Sequence, residues 1–477
     1  MIRFTTLLLS VTFALLVFSC TKEENQRAKQ ISRYMDYCYE NGIFNGVMLI
    51  AENGQIIYHQ AMGYADLENR LALKTNTPFY IASLTKQFTS MAIMMLKERG
   101  KLEFDSKLSD FFPEFPPYAN QVTIRHLLTH TSGIPDHFEL GAYKADLTNA
   151  EVLDLLIRQP KPEFIPGVKF KYSNGNYVLL ALIIEQVSGQ SYQDFLRDNI
   201  FRLLGMTHTL VYDESRPKIG NRALGYNQFG EKDDYELLTK GAGGIFSTTE
   251  DLFKWDQALY SDVLVKPPTL LEAFTSYRLL NSLLTGYGFG WAVADQPNGK
   301  IVSHGGGFGG FRAYIERQLD KKRTIIFVSN TGNALPTKDI IAGLRSILDY
   351  GSFEYPKIPI SIAMQRLISE KGLPEALDQY EQFKLKNPDK YDFNEDELNK
   401  LGYHFLRMQK NAEAIAVFQL NVQAYPESAN TYDSLGEAYL LSGDFEAALE
   451  NYKKSLELDP DNENARAMIQ KIESQLP

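Results

Sequence analysis

Cysteine is nearly absent from this chain of 477 residues, which contains only Cys20 and Cys38. A disulfide framework is therefore excluded, and a stable fold must rely on a large packed core. Basic charge is also in deficit, because 49 lysine and arginine residues face 59 acidic ones, for a formal net charge of −10. Nucleic-acid binding, which needs a basic face, is excluded on this ground. Beyond the first 20 residues, no apolar run of the sequence is long enough for a transmembrane helix.

The composition is otherwise that of an ordinary globular protein, with 44% hydrophobic and 23% charged residues. The length is sufficient for two domains. The negative charge is unevenly placed: from Tyr391 to the end, 16 acidic residues face 7 basic ones. Most of the excess therefore lies in the last fifth of the chain, and the rest is nearly neutral.

This acidic region repeats with a period of 34 residues. The aligned pairs are Leu401-Gly402 with Leu435-Gly436, Phe405 with Tyr439, Ala414 with Ala448, Phe418 with Tyr452, and Pro426 with Pro460. The pattern resembles the tetratricopeptide repeat, which has small residues where paired helices approach and proline at the turn. Ala376, Tyr380 and Pro388 indicate an imperfect earlier repeat, and residues 462–476 a capping helix. The resemblance implies a solenoid that docks a protein partner or orients the chain near a membrane; a solenoid that only extends the fold is the alternative.

The N-terminus is typical of an export signal. Arg3 precedes an apolar run from Leu7 to Phe18, which is too short to span a bilayer. The run ends Val17-Phe18-Ser19-Cys20, which resembles a bacterial lipobox. The resemblance implies a signal peptide over 1–19, lipidation of Cys20, a tether over 20–30 and a membrane-anchored protein of the cell envelope. Which membrane face it occupies stays open, and an ordinary secretory signal is the alternative.

Ser83-Leu84-Thr85-Lys86 is the string with most chemical content. Residues three apart share a helix face, so the amine of Lys86 can reach the hydroxyl of Ser83. An apolar helical pattern follows up to Gly100, so Ser83 is predicted at a helix start, where backbone N–H groups favour negative charge. Two other S-x-x-K strings lack this context, since Ser19 lies in the signal and Ser215 precedes a proline.

Two further strings complete a constellation. Tyr172-Ser173-Asn174 lies 89 residues after Ser83, and His304-Gly305-Gly306 lies 132 residues after Tyr172. Together with Ser83 and Lys86 they resemble, in order and spacing, the serine hydrolases related to class C β-lactamases, a group that includes DD-peptidases, D-aminopeptidases and small-ester hydrolases. Three further segments also resemble this family, and we call them family phrases: Leu127 to Gly133, Gly241 to Gly244 and Tyr287 to Trp291. The resemblance covers roughly residues 31–350.

The resemblance implies a role for each residue of the constellation. Ser83 is the nucleophile, Tyr172 the proton shuttle and Lys86 its electrostatic partner. Free tyrosine and lysine, with pKa values of about 10 and 10.4, are poor bases, but ammonium favours phenolate and burial favours neutral amine. The two would titrate as a pair, so a single base is not assigned. Asn174 would bind a substrate amide or hold the lysine, and a turn residue is the alternative.

His304, Gly306 and Gly307 are predicted to lie on a strand facing the nucleophile, where glycine lets a substrate approach closely. The backbone N–H groups of Gly307 and Ser83 would form an oxyanion hole. True class C β-lactamases carry lysine at the position of His304, whereas the histidine form resembles D-aminopeptidases and DD-peptidases. Histidine is mostly neutral at pH 7, so its attraction for a substrate carboxylate should be weak and dependent on pH.

Three competing motifs are rejected. Tyr118-Ala119-Asn120 lies only 35 residues after Ser83 in a proline-rich loop, where the family has no catalytic group. The glycines of Gly305 to Gly310 satisfy G-x-G-x-x-G, but a strand pattern follows them, which argues against a dinucleotide site. His126 and His130 lack the glutamate of a zinc motif and are interpreted as structural. We therefore expect neither a metal nor any other cofactor.

The predicted fold is α+β. Strand patterns at Gly46 to Ala51 and Gln55 to Tyr58 flank an Asn-Gly hairpin turn, and strands return at Phe311 to Arg317 and Thr324 to Ser329. Strands at both ends with helices between predict a sheet closed by both termini. The resemblance implies an antiparallel sheet flanked by helices with an all-helical lobe. The predicted domains are the hydrolase over 31–350, a linker over 351–360 and the repeats over 361–477.

These patterns predict an envelope serine hydrolase that forms an acyl-enzyme on an ester, a D-amino-acid amide or peptide, or a β-lactam-like carbonyl. A penicillin-binding DD-peptidase or a true β-lactamase is one alternative. A catalytically weak receptor or scaffold acting through the repeats is another, although four intact site residues argue against it. Motifs do not name the substrate, because loops determine specificity.

Overall fold

The structure is a computed structural model that describes residues 26–213, 219–235, 237–332 and 335–475. The predicted signal peptide and Cys20 lie outside the described residues. Two compact units are present: residues 26–33 and 44–335 form the first, and residues 34–43 and 336–475 form the second. No helix in the described part of the chain is both long and apolar enough to cross a membrane.

The first unit is built on a six-stranded antiparallel sheet. The strand order is β2-β1-β11-β10-β9-β8, and the strands are β1 Gly46–Glu52, β2 Gln55–Met62, β8 Ala292–Gln296, β9 Gly299–Phe308, β10 Phe311–Gln318 and β11 Arg323–Ser329. The first strand pairs with the last, in register from Gly46 opposite Ser329 to Glu52 opposite Arg323. Both ends of the hydrolase region thus close one sheet, as the sequence predicts.

Short strands and helices surround this sheet. The short strands are β3 Tyr64–Asp66, β4 Leu71–Ala72, β5 Phe79–Tyr80, β6 Leu210–Val211 and β7 Ile245–Ser247. The helices are α1 (26–40, which continues into the second unit), α2 Thr85–Glu98, α3 Leu108–Phe111, α4 Ile124–Leu128, α5 Asn149–Ile157, α6 Asn174–Ser188, α7 Tyr192–Leu196, α8 Thr249–Ala258 and α9 Pro267–Ala273. Between β5 and β6 the regular structure is helical, which matches the predicted helical lobe.

Local sequence explains the elements that position the site. Asn53 and Gly54 both have positive φ, 52° and 78°, as the predicted hairpin turn between β1 and β2 requires. Helix α2 is buried from Thr85 to Leu96, so it forms the centre of the unit rather than an amphipathic surface helix. Helix α6 likewise buries nearly its whole first three turns. The two helices therefore hold the segments that begin at Ser83 and Asn174 rigidly together.

The second unit is helical and contains the repeats. Its elements are α10 Thr337–Tyr350, β12 Ile358–Pro359, α11 Ile360–Lys371, α12 Leu373–Lys386, β13 Tyr391–Asp392, α13 Glu395–Arg407, α14 Asn411–Ala424, α15 Ala429–Ser442, α16 Phe445–Leu458 and α17 Glu463–Gln475. A Cβ on Gly402 would lie 2.4 Å from the ring of Phe418, and one on Gly436 3.2 Å from that of Tyr452. These glycines allow the close helix approach that the 34-residue pattern predicts.

The longer segment of the second unit begins at residue 336, before the predicted hydrolase boundary at 350. The reason is that α10 packs against residues 34–43 of the same unit. The Tyr34 hydroxyl donates to the carbonyl of Asp339 at 3.1 Å, and Gly343 leaves room for the Tyr34 ring, which a Cβ would approach to 2.2 Å. The predicted imperfect first repeat corresponds to α11 and α12, with Ala376 and Tyr380 fully buried.

Candidate active site

Ser83 lies in a tight turn between β5 and α2. Residues Ala82–Leu84 form a single 3₁₀ turn that continues directly into the helix at Thr85. Ala82 has a φ of +46°, a conformation that costs energy for a residue with a side chain and is concentrated at functional turns. Leu84 is fully buried, whereas Ser83 keeps part of its surface exposed. The buried Leu84 thus fixes the turn in the core, while the Ser83 side chain remains partly accessible to solvent.

Lys86 is fully buried one helical turn later, on the face that the S-x-x-K spacing predicts. Its Nζ lies 3.0 Å from the Ser83 hydroxyl, 2.8 Å from Oδ1 of Asn174 and 2.9 Å from the carbonyl of Ala242. Burial lowers the pKa of Lys86 to about 7, although the nearby carboxylate of Asp136 acts in the opposite direction. A substantial fraction of Lys86 is therefore neutral at physiological pH, which suits a general base.

The Tyr172 hydroxyl lies close to the Ser83 side chain. Burial raises the pKa of Tyr172 well above 10, and this effect exceeds the opposite effect of the Ser83 side chain. The ammonium group of Lys86 lies over the face of the Tyr172 ring, 4.8 Å from its centroid. The expected stabilisation of phenolate by ammonium is therefore outweighed by burial, which favours neutral amine and neutral phenol together.

Asn174 begins helix α6, and its amide is held from both sides. Its Oδ1 accepts from Lys86, while its Nδ2 donates to Oδ2 of Asp136 at 2.8 Å. The backbone N–H of Asn174 donates to the same carboxylate oxygen at 2.9 Å. Of the two alternatives for Asn174, the structure therefore supports contact with the lysine over a simple turn position.

His304 lies on β9 and is 6% exposed. Its Nδ1 lies 2.7 Å from the carbonyl of Gly305, which can only accept, so this nitrogen carries the proton. Nε2 consequently accepts from the hydroxyl of Tyr287 at 2.9 Å. Burial first, and the charge of Lys86 second, lower the pKa of His304 to about 3. The expectation that its charge varies with pH near neutrality is wrong, because the imidazole is already neutral there.

The glycines after His304 lie on different faces of β9 and have different surroundings. A Cβ on Gly306 would lie 2.3 Å from the carbonyl oxygen of Ile81 and 3.1 Å from the backbone nitrogen of Ser83. Gly306 therefore makes room for the nucleophile's own turn, whereas the sequence predicted that it makes room for substrate. Gly305 and Gly307 are exposed on the other face of β9.

The edge of β9 beyond Ser303 is open, because pairing with β8 ends there. The Gly305 carbonyl accepts from the His304 side chain, which directs it away from β10. Backbone groups face alternate edges at successive residues of an antiparallel strand, so residues two apart face the same edge. The N–H of Gly307 therefore faces the same open edge as the carbonyl of Gly305. One residue earlier, the backbone of β9 packs against that of Ser83, because a Cβ on Gly306 would lie 3.1 Å from the Ser83 nitrogen. The geometry is compatible with the predicted oxyanion hole.

Comparison with known proteins agrees with this arrangement. The model of the β-lactamase family matches residues 27–346, two thirds of the chain. The chain belongs to the β-lactamase family. A tetratricopeptide model matches residues 397–461, within the second unit. As a β-lactamase-family member, the protein is a serine hydrolase that works through an acyl-enzyme.

Three relatives show the range within the β-lactamase family. Penicillin-binding protein 4* of Bacillus subtilis is 38% identical over 332 residues, which cover 65% of this chain and 72% of the relative. The structure of an octameric penicillin-binding protein homologue from Pyrococcus abyssi is 28% identical, with a TM-score of 0.60 over 72% of this chain and 81% of that one. D-amino acid amidase from Ochrobactrum anthropi SV3 is 26% identical, with a TM-score of 0.59 over 68% and 96% of the two chains.

His130 contacts this β-lactamase-family site in a way that the sequence did not predict. His130, interpreted as a structural histidine, is fully buried with its ring 4.2 Å from that of Tyr172. Its Nδ1 accepts from the backbone N–H of Ser173 at 3.1 Å, and burial lowers its pKa well below 6.5. His130 therefore packs against Tyr172 as a neutral ring. It lies in the Leu127 to Gly133 phrase, which signalled the family but not this contact.

The rejected motifs lie where other contacts explain them. Tyr118 packs edge-on against the ring of Phe115. His126 caps the start of α4 by accepting from the backbone N–H of Thr123 at 3.2 Å. The G-x-G-x-x-G glycines fall on the hairpin between β9 and β10, so no helix follows them. Across the described ranges, no group of three histidine, cysteine or acidic side chains could hold a metal ion.

Proposed function

We propose that this hydrolase acts on small carbonyl substrates, either esters or D-amino-acid amides and peptides, with Ser83 as nucleophile and Lys86 as general base. The main support is the position of Lys86, which is fully buried with its Nζ 3.0 Å from the Ser83 hydroxyl. Burial also lowers the pKa of Lys86 to about 7. A lysine in this state can accept the serine proton at neutral pH. Tyr172 is assigned a different role, because its phenol is strongly held in the protonated form.

In the first step the neutral amine of Lys86 takes the proton of Ser83, and Oγ attacks the substrate carbonyl. The carbonyl oxygen becomes negative between the N–H groups of Ser83 and Gly307, which supply the oxyanion hole. The ammonium formed on Lys86 is accommodated by three acceptors, namely Asn174, the Ala242 carbonyl and the serine oxygen.

In the second step the tetrahedral intermediate collapses and the leaving group takes a proton. The Tyr172 hydroxyl lies close to Ser83, and its ring lies beside Lys86, so we assign it the transfer of a proton to the leaving group and the recovery of one from the ammonium. The acyl-enzyme on Ser83 is then hydrolysed by water, with the same groups acting in the reverse order. The proton removed from Ser83 thus departs with the leaving group, and the water that hydrolyses the acyl-enzyme supplies the proton that returns to Ser83.

The substrate class follows from His304. Its imidazole is buried and neutral, so it supplies no fixed charge for the carboxylate that penicillins and cephalosporins carry. We therefore propose slow or negligible turnover of β-lactams and faster turnover of uncharged esters and amides. The alternative of a penicillin-binding DD-peptidase is supported by a relative whose name includes penicillin binding, penicillin-binding protein 4*. Such an enzyme would form a β-lactam acyl-enzyme and release it slowly.

A substrate panel tests the proposal. The wild type, Ser83→Ala and the surface control Ser109→Ala are assayed on nitrophenyl esters, D-amino-acid amides and a chromogenic cephalosporin. A fluorescent penicillin reports acylation without turnover. We expect hydrolysis of an ester or amide by the wild type and the control, and none by Ser83→Ala while it stays folded. Equal hydrolysis by Ser83→Ala would exclude Ser83 as the nucleophile, and cephalosporin turnover near the diffusional ceiling of about 10⁸ M⁻¹s⁻¹ would identify a true β-lactamase.

We also propose a lipid anchor at Cys20 and a location in the cell envelope, supported by the apolar run and lipobox-like end of the N-terminal sequence. Intact mass of the N-terminal peptide tests this, because an unmodified Cys20 or cleavage elsewhere contradicts it. Cys20→Ser should move the protein to the soluble fraction, since a lipidated cysteine would be its membrane attachment. Cys38→Ser is the matched control and should leave the protein with the membranes.

The repeat unit is proposed to bind a protein partner. The support is its tetratricopeptide match over residues 397–461 and its strongly acidic sequence. Crosslinking in intact cells, with the full chain and with a chain ending at residue 360, tests the proposal. A partner recovered with the full chain alone supports it. Identical crosslinking patterns for both chains would show that the repeats only extend the fold.

A further inference from the structure

Asp136 is a buried carboxylate next to the site with no role assigned so far. It is 7% exposed and lies in the loop that follows the Leu127 to Gly133 phrase. Its Oδ2 accepts from both the backbone and the side-chain nitrogen of Asn174, at 2.9 and 2.8 Å, and its Oδ1 accepts from the backbone N–H of Phe138 at 3.0 Å. A carboxylate is an acceptor only, so the Nδ2 of Asn174 must face Asp136.

This orientation determines what Lys86 can do when it is neutral. A neutral amine has two N–H donors and one lone pair. Two of the three neighbours of Nζ, the Asn174 Oδ1 and the Ala242 carbonyl, are acceptors only and take the two N–H groups. The third neighbour, the hydroxyl of Ser83, is the one that can donate. The lone pair of Lys86 is therefore directed at the proton it must remove.

If the Asn174 amide were turned over, its NH₂ group would face Lys86 and donate to that lone pair. The base would then be occupied, and the Ser83 proton would lose its acceptor. We propose that Asp136 is a positioning residue for catalysis, which fixes the Asn174 amide so that Lys86 accepts from Ser83. The inference rests on the proposed function, because it assumes that Lys86 is the base.

Charge gives Asp136 a second, separable effect. The titratable groups around Lys86 are Asp136, His130, His137, His304, Tyr172 and Tyr177. Among them Asp136 supplies the negative charge, and its carboxylate raises the pKa of Lys86 against the larger effect of burial. Loss of this charge should therefore move the acid limb of the pH profile to lower pH. This shift reports the loss of the charge alone, whereas the loss of Asn174 positioning is measured separately by the rates in a double-mutant cycle.

The test is a double-mutant cycle between Asp136→Ala and Asn174→Ala, with Asp136→Asn and the surface control Asp295→Asn. The readouts are kcat/KM on the best ester, and the rate at which an aryl phosphonate ester phosphonylates Ser83, which needs no knowledge of the substrate. We expect Asp136→Ala to reduce both rates about 10- to 100-fold, as for loss of a charged hydrogen bond. The double variant should be within about threefold of Asn174→Ala alone, because Asp136 acts through Asn174.

Asp136→Asn keeps the shape but has one acceptor oxygen, which can serve Asn174 or the Phe138 N–H but not both. Its rates should lie between those of the wild type and Asp136→Ala, with an acid limb at lower pH. This variant decides the matter if Asp136→Ala does not fold. Multiplicative losses in the cycle, or an Asp136→Asn enzyme with unchanged rates and pH profile, would overturn the inference. A wild type that neither hydrolyses the panel nor is phosphonylated at Ser83 would instead refute the proposed function itself.

Discussion

Replacing Lys86 with methionine should change how the stability of the hydrolase unit depends on pH. Burial lowers the pKa of Lys86 from 10.5 to about 7, whereas in the unfolded chain the amine is in water. At about 1.4 kcal/mol for each pKa unit, this difference corresponds to about 5 kcal/mol. Methionine has a similar length and no charge, so it removes the titration while filling much of the same space.

The sign follows from proton binding. Between pH 7 and pH 10.5 the unfolded state holds a proton on Lys86 that the folded state lacks, so the wild type gains stability as pH rises. The free energy of unfolding of Lys86→Met minus that of the wild type should fall by about 1.4 kcal/mol per pH unit in this window. From pH 7.5 to pH 9.5 the change is about 3 kcal/mol. Below pH 7 the difference should level off.

Tryptophan fluorescence during urea unfolding makes the measurement specific. The chain has two tryptophans, Trp255 and Trp291, and both are buried in the hydrolase unit, so the repeats do not contribute to the signal. Lys97→Met, at the partly exposed end of the same helix, is the control for replacing a lysine of α2 with methionine. A flat difference for Lys86→Met would mean that the buried lysine stays charged.

The same titration should appear in catalysis. Because the neutral amine is the proposed base, kcat/KM of the wild type should rise with pH through a midpoint near 7. Lys86→Arg should be inactive across the whole range, since guanidinium does not lose its proton. A fully active enzyme at pH 5, with no acid limb near 7, would contradict the assignment of Lys86 as base.

Three other substitutions have defined outcomes. Gly306→Ala should reduce kcat/KM at least tenfold, because the new Cβ would lie 2.3 Å from a backbone oxygen of the turn that carries Ser83. Gly305→Ala is the control, since the atom nearest to its new Cβ would lie 3.9 Å away. Equal rates for the two variants would contradict the packing argument. His304→Lys should raise the ratio of cephalosporin to ester acylation, measured as kcat/KM on both substrates; an unchanged ratio would show that charge at this position does not select the substrate. Gly402→Ala should destabilise the repeat unit by about 1–3 kcal/mol, measured by thermal unfolding followed by circular dichroism. Gly436→Ala should destabilise it less, because its new Cβ would lie 3.2 Å from the nearest ring atom, compared with 2.4 Å for Gly402→Ala. A larger loss of stability for Gly436→Ala would refute this argument.

The sequence predicted the parts of the fold that depend on local pattern. The Asn53-Gly54 turn, the helix after Ser83 and the 34-residue repeat all follow from spacing and side-chain type, and the structure contains each of them. The pairing of β1 with β11 was inferred from strand patterns at both ends of the region. The register of that pairing was not, because it depends on contacts between residues far apart in sequence.

The candidate site divides in the same way. Ser83 and Lys86 could be predicted because a helix fixes their separation. The roles of Asp136 and Tyr287 could not, because each acts through a neighbour that only the fold supplies. The direction of the Tyr172 pKa was missed for a related reason: sequence shows which charges are near, but burial, which dominates here, is a property of the packed structure.

The pairing of the first strand with the last also has a consequence for the order of folding. Arg323 on β11 contacts Glu52 on β1 across 271 residues of sequence. Until β11 is available, β1, the second strand from the edge of the sheet, has one partner, β2. Such long-range closure is slow and leaves a strand edge unpaired in the meantime. A chain that stops before Arg323 would expose Gly46–Glu52, an almost wholly apolar and buried strand, as a permanent edge. Such a fragment should aggregate rather than fold, even though it contains Ser83, Lys86 and Tyr172.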